Sequence, residues 1–203
     1  MLRTVALLCA LLLAFSAPAF TLVEEGEPKA IIVVPDQPLP AEAFAAEELR
    51  HHVKLASGAE LPIVPDRESI GRPEPTIQIG RTRAFEALGI RLPQPERFEW
   101  DKRQYPWAGK LLDGKLYFYG VDGPGPVPAY GEKGVWDAPP VGTLFAVYDF
   151  LDGPLGVRWI WPGESGEIVP PRATLSVETY DRTGEPRLIN AHWRSEHTYT
   201  LGS

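Results

Sequence analysis

Glu47 with His51, and Glu48 with His52, stand four residues apart, the spacing at which a carboxylate and an imidazole share one face of a helix. Two acids and two imidazoles are chemically fit to ligate a metal. The HExxH order that aims both rings at one ion is missing, however, and the two pairs point in adjacent directions. The residues therefore read as surface salt-bridging, with His52 packed at the apolar edge of the helix, and no metal ligand is expected. Glu164 and Glu167, on either side of Gly166, are the one pair suited in principle to glycoside cleavage, which needs two carboxyl groups across a bond and one raised pKa. Their neighbours Pro162-Gly163 and Pro170-Pro171 predict an exposed turn that leaves both as ordinary acids. Trp159 and Trp161 lie two apart on a predicted strand and so project from one face. They can stack on sugar rings or fill the space under the preceding helix, and core packing is the expectation, with Arg158 on the opposite face as an ion-pair partner. Tyr130 and Trp136 are the other aromatic residues placed to meet carbohydrate, so the candidate contacts are Trp159, Trp161, Tyr130 and Trp136. Ile79-Gly80-Arg81-Thr82 has the strand, glycine and helix start of an anion site but not the glycines of a phosphate loop, and reads as a tight turn. Ser165 sits in no GxSxG elbow. No catalytic residue and no cofactor is expected.

These side chains must be positioned by a small set of elements. The stretch from Gly142 to Pro170 shows a helix, a turn, an apolar strand and a proline-bounded exit in succession. Thr143 is an N-cap candidate, and Leu144, Val147, Tyr148 and Leu151 recur at helical spacing. Gly153, Pro154 and Gly156 stop that helix before the strand Val157 to Trp161. Upstream, Phe20 to Lys29 reads as a polar surface lead-in. Ile31 to Val34 is a β-branched run typical of a strand buried on both faces. Pro40 opens a helix running through Leu55 and ended by Gly58. Its buried face is read as Phe44, Ala45, Leu49, Val53 and Ala56, its wet face as Glu42, Glu47 and Arg50. Leu61 to Val64 and Thr76 to Ile79 are two further strands, and Thr82 caps a short helix over Ala84 to Leu88. Pro93 to Pro106 is charged and proline-rich and reads as loop. Asp113-Gly114 between two apolar runs is a hairpin signal. Glycine and proline then dominate from Gly120 to Gly142, a connection long enough to be functional or disordered. Thr174 to Tyr180 alternates as a last strand, and nothing periodic follows Asp181.

The 203-residue chain is 44% hydrophobic and 23% charged, enough apolar material for the core of one domain. Arg3, the apolar run Val5 to Phe15 and Ala17-Pro18-Ala19 together read as a cleaved signal peptide over residues 1–19. That run is too short to cross a hydrocarbon core that needs about 20 residues. Export places the mature chain in the periplasm or outside the cell, with no membrane association after cleavage. Cys9, the only cysteine, lies in the signal and lacks a lipoprotein box, so disulfides, thiolate metal sites and cysteine catalysis are excluded from the mature chain. The formal charge of −7 becomes −8 with the loss of Arg3, against the basic patch that nucleic acid requires.

Gly-Thr-Leu-Phe-Ala-Val-Tyr-Asp-Phe-Leu at 142–151, Leu-Gly-Val-Arg-Trp at 155–159, Pro-Gly-Glu and Gly-Glu-Ile-Val-Pro resemble, in that order, the N-terminal domain of microbial alpha-glucuronidases and related uncharacterised bacterial glycosidase-like proteins. Ala45 to Leu49, Ser57 to Ile63 and Ile77 to Gly80 match the same pattern upstream, so the resemblance covers about Ile31 to Tyr180. It implies an α+β fold, a mixed β-sheet with helices packed on it, similar to the second domain of beta-hexosaminidases. It also implies a downstream (β/α)8 catalytic domain as partner, with the catalytic carboxylates in that barrel. The expectation is a non-catalytic accessory domain at 20–180 of an exported glycoside hydrolase acting on plant polysaccharide, truncated before its barrel, with 181–203 beginning a linker. The alternative is a self-standing carbohydrate-binding module.

Overall fold

The computed structural model describes residues 19–91, 106–127, 139–160 and 164–184, the side chain of Glu164 excepted. The expected signal peptide, and Tyr130, Trp136 and Trp161, lie outside these residues. In chain order the elements are β1 (Phe20–Glu24), β2 (Glu27–Pro28), β3 (Ile31–Val34), α1 (Pro40–Ser57), β4 (Ile63–Pro65), α2 (Asp66–Ser69) and β5 (Thr76–Ile79). There follow α3 (Arg83–Ala87), β6 (Trp107–Leu112), β7 (Lys115–Gly120), α4 (Gly142–Phe150), β8 (Arg158–Trp159), β9 (Glu167–Ile168), β10 (Leu175–Val177) and β11 (Asp181–Gly184). This is the α+β class, with a six-stranded mixed sheet in the order β11-β6-β7-β5-β3-β4. β4, β3, β5 and β7 run parallel, while β6 and β11 are antiparallel to their neighbours.

The two faces of this sheet are covered differently. Ile32, Ile77, Ile79, Leu116 and Phe118 pack under α1 and α4, against Leu49, Val53, Val147 and Phe150, in the main core. Strand alternation turns Thr76, Gln78, Tyr117 and Tyr119 to the other face, where Phe85 of α3 packs on Tyr119 with ring centroids 4.6 Å apart. The α1 stripe begins one turn earlier than the residue types suggest. Glu42 is 2% exposed and Phe44 41%, the reverse of the sequence reading. Glu42 lies three and seven residues before Ala45 and Leu49, so helical period places it on the buried stripe despite its charge. Gly58 closes the helix in the left-handed conformation, its N–H donating to the Lys54 carbonyl.

Two stretches read as irregular are strands. Phe20–Glu24 pairs with β10 and buries Phe20, Leu22 and Val23 in the main core. Asp181–Gly184, assigned to the linker by the sequence, pairs with β6, and Leu111 donates to the Tyr180 carbonyl. The folded unit thus takes in Gly184. The helix from Gly142 is capped from outside: Val141 is the N-cap residue, and Thr143, read as the cap, donates to Asp122 instead. A π-type turn over Leu151–Leu155 absorbs Pro154 and ends at Gly156, also left-handed. Asp122 bridges Val141, Gly123 donates to the Pro140 carbonyl at 2.8 Å and Gly142 to the Val121 carbonyl at 2.9 Å. The two ends of the glycine- and proline-rich stretch are therefore clamped to each other. No helix among the described residues is long and apolar enough to cross a membrane.

Candidate functional site

β8 and β9 form a two-stranded sheet in which Trp159 and Glu167 are register partners, so both side chains leave the same face. That face turns to α1 and α4. The Trp159 ring meets His52 of α1 at 5.5 Å and Tyr148 of α4 at 5.3 Å, both edge-on with an interplanar angle of 72°. Its indole N–H donates to Glu167 Oε1 at 2.9 Å, and the same oxygen contacts His52 Nε2 at 2.6 Å. His52 Nδ1 lies 2.7 Å from the Glu48 carbonyl, which can only accept, so Nδ1 carries hydrogen. The Tyr148 hydroxyl donates to Glu48 Oε2 at 3.1 Å. Burial, and then the Glu48 charge, push this phenol well above its ordinary value, so it stays a donor.

The outcome differs from the sequence reading in two places. Trp159, expected in the core, is 42% exposed, held on edge by its neighbours with part of the indole open to solvent. Glu167, expected as an ordinary acid in an exposed turn, has only 17% of its side chain exposed and fastens β9 to α1. Ile160 and Ile168, at 58% and 50%, also stand out of the core, so the predicted buried strand is a rim hairpin. Arg158 pairs with Asp152 at 2.8 Å, as an ion-pair partner should. Of the four proposed carbohydrate contacts, Trp159 alone lies among the described residues. Glu48 and His52 do share a face, but both ring nitrogens of His52 are engaged by protein groups, which leaves no lone pair for a metal. Glu47 pairs with Arg50, and His51 is exposed beside it.

A second carboxylate pair, missed from the sequence, sits at the carboxyl ends of the parallel strands. Glu42 Oε2 accepts the Leu39 N–H at 2.7 Å, the reach-back half of a capping box, and Oε1 accepts the Arg81 N–H at 2.9 Å. Gly80 has φ +74°, and a Cβ there would stand 2.1 Å from Glu42 Oε1, so the glycine is required twice over. Asp122 Oδ1 accepts the Thr143 N–H at 3.0 Å and Oδ2 the Thr143 hydroxyl. Burial is the main cause that raises both acids. The Leu39, Arg81 and Thr143 hydrogen bonds oppose it, and the Asp122 charge adds to the rise at Glu42. Two raised carboxyls near each other are the raw material of acid–base hydrolysis. Here, however, all four oxygens are engaged with protein donors, three of them backbone N–H groups, so the pair acts as staples for the starts of α1 and α4.

No family model matches the sequence, and no curated protein is significantly similar to it. Among solved structures, a family GH115 4-O-methyl-alpha-glucuronidase with specificity for decorated arabinogalactans shares the fold, with a TM-score of 0.51 and 16% sequence identity. The match covers 81% of this chain and 18% of that one, so the chain spans less than a fifth of the length of the enzyme it resembles. At that identity the likeness is one of fold alone.

Proposed function

We propose that this chain is the non-catalytic N-terminal domain of a larger exported glycoside hydrolase of the alpha-glucuronidase kind. In this reading it precedes the (β/α)8 catalytic domain of the parent protein, and residues 1–19 are removed on export. The observation that carries the reading is the asymmetry of coverage: most of this chain superposes on less than a fifth of a glucuronidase. The site chemistry supports it, because each buried carboxylate described above is tied up holding backbone or side chains. The full chain, assayed on nitrophenyl glycosides including the glucuronide, should release no product above buffer; turnover that survives purification to homogeneity overturns the reading. The gene beyond Ser203 should encode a barrel.

A second reading, a carbohydrate-binding module, is favoured by Trp159. A half-open indole locked by Glu167, with the Glu48 carboxylate nearby to accept hydroxyl donors, is a stacking platform for a sugar ring. Titration with xylan and arabinogalactan oligosaccharides should then quench tryptophan fluorescence in the parent chain but not in Trp159→Ala. Equal quenching in both removes this reading.

A further inference from the structure

The large hydrophobic side chains that stand open to solvent are unevenly placed. Of the seven among the described residues, Phe44 and Leu55 lie on α1, and Trp159, Ile160 and Ile168 lie in or beside the β8–β9 hairpin that leans on it. Ile70 and Leu112 lie elsewhere and singly, as such residues ordinarily do. Phe44, Glu48, His51 and Leu55 follow at intervals of four, three and four residues, so they form one line along α1. That line runs beside His52, against whose ring Trp159 is packed. Solvated helix faces are polar, yet Phe44 and Leu55 are 41% and 50% exposed. The hairpin breaks the pattern in the same way. Arg158 and Ile168 are register partners and Ile160 is two residues beyond Arg158, so the isoleucines share the face turned away from α1. A sheet with one face on the core carries polar residues on the other, but here Arg158 is tied to Asp152 and the isoleucines stay uncovered. The charges around the patch are closed among themselves, Glu47 with Arg50 and Lys54 with Glu60. Apolar side chains rimmed by satisfied polar ones are the anatomy of an interface.

We infer that this line of α1 and the β8–β9 hairpin together form the surface on which the remainder of the parent hydrolase docks. The inference rests on the accessory-domain reading and gives that domain its contact face. The occupant follows from chain length: the matched region is 18% of the glucuronidase chain, which leaves over four-fifths of that chain as a covalently attached neighbour. A tethered neighbour needs little area, because the linker supplies effective concentration and interfaces within one chain begin at about 600 Å². A free second copy must clear about 1,000 Å² with good complementarity. Five side chains suit the first case. A sugar chain is the poorer match, since leucine and isoleucine present neither a flat ring to stack on nor a partner for hydroxyl groups.

The test is hydroxyl-radical footprinting, read by mass spectrometry, of the 203-residue chain beside the parent protein expressed from the whole gene. Labelling of Phe44, Leu55, Trp159, Ile160 and Ile168 should fall about fivefold in the parent, as half-exposed side chains become the core of an interface. Ile70 and Leu112 should label equally in both and serve as internal controls. Ile160→Ser combined with Ile168→Ser should restore labelling of Trp159 in the parent. Equal labelling of the five residues in both proteins overturns the inference, and so does protection confined to Ile70 and Leu112. Labelling of the 203-residue chain that rises on dilution also overturns it, and assigns the patch to a second copy. Protection of Trp159 alone, appearing only when an arabinogalactan oligosaccharide is added, overturns it in favour of the carbohydrate platform. A gene that ends at Ser203 removes the accessory-domain reading and the inference with it, whereas an unprotected patch in a longer parent removes the inference and leaves that reading standing.

Discussion

Glu42 and Glu167 are both glutamates withdrawn from water at the ends of strands, and they do opposite things. Glu42 spends both oxygens on backbone N–H groups that no other partner serves, so it is part of how α1 begins and how the chain turns after β5. Glu167 gathers two side-chain partners, the His52 ring and the Trp159 indole N–H, on one oxygen and so orients a ring that remains open to solvent. The difference teaches that a buried acid is read by what it accepts from. A carboxylate consumed by main chain fixes where elements begin, whereas one that accepts from a side chain fixes the pose of an exposed ring.

The largest expected effect that tests this contrast is Glu42→Ala, which strands two backbone donors and should cost about 3 kcal/mol of unfolding free energy in urea. A loss under about 1 kcal/mol would place Glu42 with Glu167 instead. Gly80→Ala should cost about 3 kcal/mol in the parent chain, from strained backbone plus overlap with the Glu42 carboxyl, but only about 1 kcal/mol when Glu42 is already alanine. Additive losses would show that the two do not share a space. The raised acids also set a pH dependence. Between the ordinary carboxyl values, 4.5 for Glu and 3.8 for Asp, and the higher folded ones, the unfolded chain has released protons the folded chain still holds. Stability should therefore fall as pH rises through that window, and Asp122→Asn should flatten the slope of the urea midpoint against pH. At the other corner, Glu167→Ala should cost about 1 kcal/mol, since the group is partly solvated. Smallest of all, Trp159→Ala should change stability by about 0.5 kcal/mol or less while altering near-UV circular dichroism, because its surface is already half in water.

Much of the scaffold could be read from local pattern. The β-branched run of β3, the proline start and glycine end of α1, the Thr82 cap, which accepts from Phe85 N–H at 3.3 Å, and the Asp113-Gly114 hairpin all stand where sequence puts them. In each case the decisive residues are neighbours in the chain. What was not legible depends on partners far away. The charge of Glu42 points to water, although its spacing from Ala45 and Leu49 carries the signal of burial. Phe20–Glu24 pairs along most of its length with Leu175–Val177, some 150 residues on, and only its end pairs locally with β2. The polar run Asp181–Gly184 becomes a strand by pairing with β6, which local periodicity does not report. The residue type of Trp159 predicts core, but its hairpin has one partner strand and lies outside the main sheet. At the candidate site the Glu48–His52 spacing was visible, whereas the joining of Glu167 to it spans 115 positions.

The clamp formed by Val121, Asp122 and Gly123 with Pro140, Val141 and Gly142 has a practical corollary. Because main-chain bonds fasten Val121 to Gly142 and Gly123 to Pro140, the end of β7 and the start of α4 hold each other in place directly. A substitution that breaks this stem is accordingly expected to unseat both elements together.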